Sequence, residues 1–148
     1  MNTVNEILDF AIEREQAAAD FYNDLAERAN SAWMKDMLLS FSKEEMRHKG
    51  KLKSVKKGEK LLSSAQQVQD LKISDYLVDV EPAGDISLQD AMIVAMKREK
   101  AAYRLYSDLA TKVDDLEVKD LFLSLAQEEA KHKLYFETQY DEQILRDN

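Results

Sequence analysis

Four glutamates and two histidines carry the chemistry in this sequence, and they come in two matching sets. Glu15 is followed by Tyr22 and then by Glu45-Met46-Arg47-His48. Glu99 is followed by Tyr106 and then by Glu129-Ala130-Lys131-His132. Corresponding residues all stand 84 positions apart. Carboxylates and imidazoles repeated in register read as a two-fold symmetric metal site. A lone Glu-x-x-His on a helix is common and usually solvated. Two copies in register, each accompanied by a further Glu and each on an inward seam, are not explained that way.

The spacing suits metal ligation. Glu45 and His48 are three residues apart and project from one helix face, as do Glu129 and His132. Glu15 and Glu99 stand singly. One Glu from each of two helices, plus Glu-x-x-His from each of the other two, is the di-iron or di-manganese carboxylate arrangement of four-helix bundles. Each metal would take one His and a terminal Glu, with the other two Glu bridging. With both His neutral, the ligand charge is −4, which two divalent ions balance. Oxygen-rich donors with a few imidazoles suit iron, with manganese or zinc as alternatives, over copper.

The elements that must position these groups are helical. Apolar residues alternate three and four apart through Leu8, Ala11, Glu15, Ala18, Tyr22 and Leu25, and again through Met34, Leu38, Phe41, Glu45, His48, Leu52 and Val55. The second half repeats this with Met92, Ala95, Glu99, Ala102, Tyr106 and Leu109, then Val118, Phe122, Leu125, Glu129, His132 and Phe136. Each seam is interrupted at its middle by ionisable residues. Thr3 with Glu6 makes a capping box, and Ser87 with Asp90 a comparable one. Ser31 and Asp115 are the expected caps of the second and fourth helices, and the second frays near Gly58. The expectation is an all-α bundle of two like-oriented helical hairpins. They are joined by a crossover from about residue 58 to residue 86, long enough to run the length of the bundle and return the chain to its starting end, with a short helix expected within Val68 to Val78.

Composition agrees. At 148 residues, with one Pro and three Gly, the chain reads as one helical domain spanning 1–148. The net charge of −8 argues against nucleic acid. The absence of Cys removes disulfides, thiol catalysis and any rubredoxin-type iron site. No apolar run approaches the roughly 20 residues of a membrane helix. The N-terminus has no signal-peptide pattern, so the expected compartment is cytoplasmic.

Around the ligands, Ala18 and Ala102 leave space where O2 or peroxide could reach the metals. Tyr22 and Tyr106, two turns from Glu15 and Glu99, are expected to hydrogen-bond ligand carboxylates and orient them. Electron relay by these Tyr is a further idea. Glu44 and Glu128 also repeat, one residue off the seam, and read as flanking polar residues. Asp24 and Asp108 repeat too, as do Asp36 and Asp120. Pairing between helices is the simpler account, and a contact from Asp36 or Asp120 to a ligand His the sharper one. The methionines, Met46 among them, read as core filler. Trp33 is expected at a hairpin end or a subunit contact.

The set Glu15-x6-Tyr22, Glu45-Met-Arg-His48, Glu99-x6-Tyr106 and Glu129-Ala-Lys-His132 resembles the ferritin-like superfamily, and within it short rubrerythrins lacking the rubredoxin domain. The likeness implies a non-haem di-iron peroxidase acting on peroxide or O2. With no Cys here, electrons would come from an external donor such as a separate rubredoxin. Rubrerythrins carry an extra carboxylate on the third helix, where this chain has Met96 and Ala102 flanking Glu99; in that respect the site is closer to that of bacterioferritin. The alternative function is therefore iron binding or ferroxidase activity without peroxidase turnover. A helical interaction module with a purely structural metal ranks last. A homodimer is compatible with the pattern but not required by it, since the four seams can close within one chain.

Overall fold

The computed structural model describes residues 2–58, 71–78 and 86–147, with side chains as far as residue 142. Four long helices make up most of it: α1 (Val4–Glu27), α2 (Ala32–Lys57), α3 (Leu88–Ala110) and α4 (Leu116–Asp147).

Local chemistry starts and stops them where expected. Thr3 Oγ1 accepts from the Glu6 N–H at 3.1 Å while Glu6 accepts from the Thr3 N–H at 2.9 Å, a complete capping box. Ser31 caps α2 through the Met34 N–H at 3.1 Å, and Asp115 caps α4 through the Val118 N–H at 3.0 Å. Ser87 caps α3 through the Asp90 N–H at 3.0 Å. The α2 helix closes on Gly58, with Lys56 and Lys57 in its negative last turn. Pro82 and Gly84, expected to precede α3, lie outside the described residues.

Helix α1 packs against α2, and α3 against α4, as two antiparallel hairpins. Two apolar layers join them. One contains Val4, Leu8, Leu52, Val55, Tyr106, Leu109, Val118, Phe122 and Leu125. The other contains Tyr22, Leu25, Met34, Leu38, Phe41, Ala91, Met92 and Phe136. Large side chains such as Phe122, Phe136 and Leu38 are at most 1% exposed, each contributing about 2–3 kcal/mol by removal from water. Glu15, Glu45, His48, Glu99, Glu129 and His132 fall in neither layer yet are all 1–2% exposed. The ionisable side chains thus form a dry slab between two hydrophobic caps.

Layer membership corrects one expectation. The end of α1 and the start of α2 share a layer with the start of α3, while the start of α1 shares one with the end of α3. The two hairpin turns therefore lie at opposite ends, not at the same end. A hairpin's sequence pattern records which face is apolar but not which way the hairpin points. The crossover must consequently join opposite ends of the bundle. Its described part, residues 71–78, includes a 3-10 turn at Ile73–Tyr76 in place of the helix expected over Val68 to Val78; residues 68–70 lie outside the described residues. Asn2 holds it by accepting from the Ile73 N–H at 2.9 Å, and Tyr76 donates to Asp108 at 2.6 Å. Asp108, one of the repeated acids, thus anchors the crossover. Met34 and Met92 are core residues, but Met46 is 44% exposed and is not.

Candidate metal centre

Every sequence-predicted ligand position meets at mid-bundle. Glu15 comes from α1, Glu45 and His48 from α2, Glu99 from α3, and Glu129 and His132 from α4. Their donor atoms fall into two overlapping groups, Glu15–Glu45–His48–Glu129 and Glu45–Glu99–Glu129–His132, with the atoms of each group within 4.8 Å of one another. Glu45 and Glu129 belong to both, so they sit where bridging carboxylates belong. Glu15 and Glu99 belong to one each.

Both imidazoles turn Nδ1 inward. His48 Nδ1 lies 3.1 Å from Glu129, 3.4 Å from Glu15 and 3.4 Å from Glu45. His132 Nδ1 lies 3.4 Å from Glu45, 3.7 Å from Glu99 and 4.0 Å from Glu129. Glu15 Oε2, Glu99 Oε2, Glu129 Oε1, both Glu45 carboxylate oxygens and the two Nδ1 atoms are buried without a hydrogen-bond partner among the described residues. Natural proteins leave only a few such atoms unsatisfied per hundred residues. Seven aimed at one another are the signature of a site whose partners are cations, and the oxygen-rich donor set fits iron or manganese.

Electrostatics carries the same message. Burial, and then the charges of Glu99 and Glu15, push the Glu45 carboxyl well above the usual carboxylate range. Burial, and then Glu45, Glu99 and Glu15, do the same to Glu129. Burial alone would lower His48, but the adjacent carboxylates of Glu129 and Glu15 more than offset it and raise the imidazole to about 10. His132 likewise overcomes burial, through Glu99 and Glu129, and rises to about 9. Without metal, protons must supply the positive charge that the slab demands.

The groups that orient the ligands are exchanged between hairpins. Tyr22 on α1 donates to Glu99 on α3, and Tyr106 on α3 donates to Glu15 on α1. Burial, and then the nearby carboxylates, hold both phenols well above their ordinary range, so they remain donors. His48 Nε2 bonds Glu128, and His132 Nε2 bonds Glu44 at 2.5 Å. Placing the hydrogen on Nε2 leaves the Nδ1 lone pair free for a metal. This corrects the reading of Glu44 and Glu128 as mere flanking residues. It also removes Asp36 and Asp120 as histidine partners, since both are exposed on the surface. A signal was available: Glu44 and Glu128 precede His48 and His132 by four residues and so share their face. That each serves the other hairpin's histidine is not visible along one helix.

Such bonds set ligand geometry, and losing them typically lowers metal affinity 10–100-fold. Glu128→Gln and Tyr22→Phe are each expected to weaken binding by about that factor while leaving the helical circular dichroism unchanged, as measured by competition with a chelator. Unchanged affinity in both variants would show that these contacts do not hold the ligands.

A cavity of about 30 Å³ adjoins the carboxylates between α1 and α3, lined by Glu15, Glu45, Glu99 and Glu129 together with Ala18 and Ala102. Tyr76 and Val78 of the crossover also line it. Larger residues at Ala18 and Ala102 would fill this space. No helix among the described residues is long and apolar enough to cross a membrane.

Comparison with known proteins agrees with the geometry. No curated protein sequence matches the chain. A protein from Thermotoga maritima described as a ferritin-like diiron-carboxylate protein superposes with a TM-score of 0.82 at 19% identity, covering 96% of this chain and 97% of its own. A hypothetical protein from Pyrococcus furiosus superposes with a TM-score of 0.70 at 24% identity, covering 94% of this chain and 89% of its own. At such identities the likeness establishes the ferritin-like fold. The sequence profile of the rubrerythrin family matches residues 6–140, nearly the whole length, and the chain belongs to the rubrerythrin family.

Proposed function

We infer that the protein is a di-iron carboxylate oxidoreductase that reduces peroxide or O2, drawing its electrons from a separate donor protein such as rubredoxin. The observation that carries this reading is the pair of overlapping donor groups sharing Glu45 and Glu129 beside a cavity of molecular size. Glu15, Glu45, His48, Glu99, Glu129 and His132 would hold two iron ions. When bound, two ferrous ions supply the two electrons that convert peroxide to water.

The chain's own residues do the rest. The two apolar layers exclude bulk water, so charges inside the slab interact strongly. Tyr22 and Tyr106 keep Glu99 and Glu15 in fixed orientations. Ala18 and Ala102 give a small oxidant room beside the carboxylates. Glu44 and Glu128, each about 30% exposed, link the buried imidazoles to solvent and offer a path for the protons that water formation consumes.

Iron handling without peroxidase turnover is the second reading, and the residues flanking Glu99 favour it. Met96 packs into an apolar layer, and Ala102 lines the cavity with no added carboxylate. Rapid mixing of anaerobic ferrous-loaded protein with peroxide or with O2 decides between them. The peroxidase reading expects faster oxidation by peroxide, with the ferric ions retained. Faster oxidation by O2 followed by ferric release would favour iron handling, and no oxidation by either would refute both. Ala102→Leu is expected to keep its metal content while slowing oxidation, because the added side chain occupies the cavity. Oxidation at the wild-type rate would rule out this cavity as the route of approach.

A further inference from the structure

An unbroken series of aromatic rings leads from one side of the metal centre to the surface. The Phe41 ring stacks on the His132 imidazole, with centroids 4.0 Å apart and planes 26° apart. Tyr135 meets Phe41 edge-on at 5.1 Å. Trp33 meets Tyr135 at 5.7 Å and is itself 59% exposed. A branch runs from Tyr135 to Phe136 at 5.5 Å and on to Tyr22 at 5.4 Å, the phenol that donates to Glu99.

The internal repeat provides a control for packing. Eighty-four positions from Trp33, Phe41 and Phe136 stand Glu117, Leu125 and Leu52, and Lys51 is the counterpart of Tyr135. At these four positions the His48 side carries aliphatic or charged residues, with Leu125 and Leu52 fully buried, while its own rings, Tyr106 and Phe122, are buried and stack on each other. What sets the His132 side apart is that its rings run from the imidazole to an exposed indole, and that continuity calls for an account beyond packing.

We propose that Phe41, Tyr135 and Trp33 form a one-electron relay between the His132 side of the metal centre and the surface, with Trp33 as its terminal reductant. This rests on the redox reading of the site. Peroxide needs two electrons and two protons to become two waters. A centre holding a single ferrous ion supplies only one electron, and Trp33 supplies the other. The O–O bond breaks and two O–H bonds form. The ferrous ion becomes ferric, and Trp33 loses one electron inward and its indole N–H proton to solvent. In sum, one peroxide, one ferrous ion, one Trp33 and one proton give two waters, one ferric ion and one neutral indolyl radical. Trp33 suits this end because its exposure lets the proton leave. Tyr135 suits the middle because its hydroxyl has no hydrogen-bond partner among the described residues to take its proton. Its ring therefore conducts without becoming a stable radical. A one-electron donor in solution, such as ascorbate, then restores Trp33.

The experiment loads wild-type protein anaerobically with one ferrous ion per chain, adds one equivalent of hydrogen peroxide and freezes the mixture within milliseconds. Electron paramagnetic resonance reads the radical, and peptide mass spectrometry maps oxidised residues. The wild type is expected to show an indolyl signal and oxidation at Trp33. Trp33→Phe is expected to lose both, and Tyr135→Phe to keep both because the ring is preserved. Tyr135→Leu is expected to lose both although Trp33 remains. Ferric absorbance should appear in all four proteins. Ferric absorbance in the wild type without an indolyl signal overturns the relay alone, as does a wild-type signal from Tyr135→Leu. No ferric absorbance in the wild type overturns the redox reading, and the relay with it. Should Tyr135→Leu fail to fold, the exposed Trp33→Phe pair decides: an undiminished radical there refutes the assignment.

Discussion

Glu129→Gln is expected to melt at a higher temperature than the wild type when metal is stripped, and to lose the metal pair altogether. Both effects have one cause. Glu129 is shared by the two donor groups, lies 2% exposed by side chain, and faces three other buried carboxylates. Without metal, its charge is opposed only by the imidazoles, and burial pushes its carboxyl well above the ordinary range. Glutamine keeps the shape and one carbonyl oxygen but removes the charge. Replacing a whole buried ion pair by well-packed neutral groups stabilises by about 1–4 kcal/mol in comparable cases. A gain of that order is expected here because Glu15 and Glu45 stay beside His48, so the imidazole is not left unpaired. At roughly 2–4 °C per kcal/mol for a chain of this size, the melting temperature should rise by about 3–10 °C. The same change deletes a bridging position, so both ions are lost rather than one. Glu15→Gln, which touches a single donor group, should spare the second site. Thermal melts in chelator together with metal titrations check this. A stripped Glu129→Gln protein that melts below the stripped wild type would contradict the repulsion argument.

The second large effect concerns pH. His48 rises to about 10 and His132 to about 9, while Glu45 and Glu129 both shift upward. A group whose folded value exceeds its unfolded one stabilises the protein fully below the unfolded value. That stability is lost as pH rises through the folded value. The stripped protein should therefore be most stable near pH 5 to 6 and weaken steadily toward pH 9 to 10, where both imidazoles give up their protons. The imidazoles share Glu129 and so do not add independently. A loss on the order of 3 kcal/mol, or roughly 10 °C in melting temperature, is expected across that range. Metal binding should run the opposite way. Ligation requires neutral imidazoles and ionised carboxylates, so affinity rises with pH and each binding event releases protons. Melting curves from pH 5 to 10, with chelator and with manganese(II), test both. A stripped protein whose stability climbs over that range would overturn the assignment of the protons to this slab.

Much of this centre is legible along the chain because an α-helix makes it local. Residues three and four apart share a face, so Glu45 with His48, and Glu129 with His132, are placed together by spacing alone. Caps are local too: Thr3, Ser31, Ser87 and Asp115 each bond a backbone N–H three residues on. The equal offset of 84 then indicates that two such faces serve one site. Even the role of Tyr22 and Tyr106 is readable as far as its target type, since a buried phenol needs an acceptor and carboxylates are the nearest kind.

Pairings between helices are another matter, because no periodicity within one helix records where another lies. The exchange of Tyr22 with Glu99 and Tyr106 with Glu15 depended on how the hairpins are set against each other, as did that of His48 with Glu128 and His132 with Glu44. So did the opposite placement of the hairpin turns. The crossover's part in lining the cavity with Tyr76 and Val78 follows from the same arrangement, since it must span the bundle to join opposite ends. The row of rings from His132 to Trp33 alternates between α2 and α4 and so appears in neither helix alone. The sequence by itself determined the helices and the register of the carboxylates and imidazoles along them, because those are set by bonds and faces within a few residues. Only the tertiary structure decided which hairpin completes which ligand, because that is set by distances across the core.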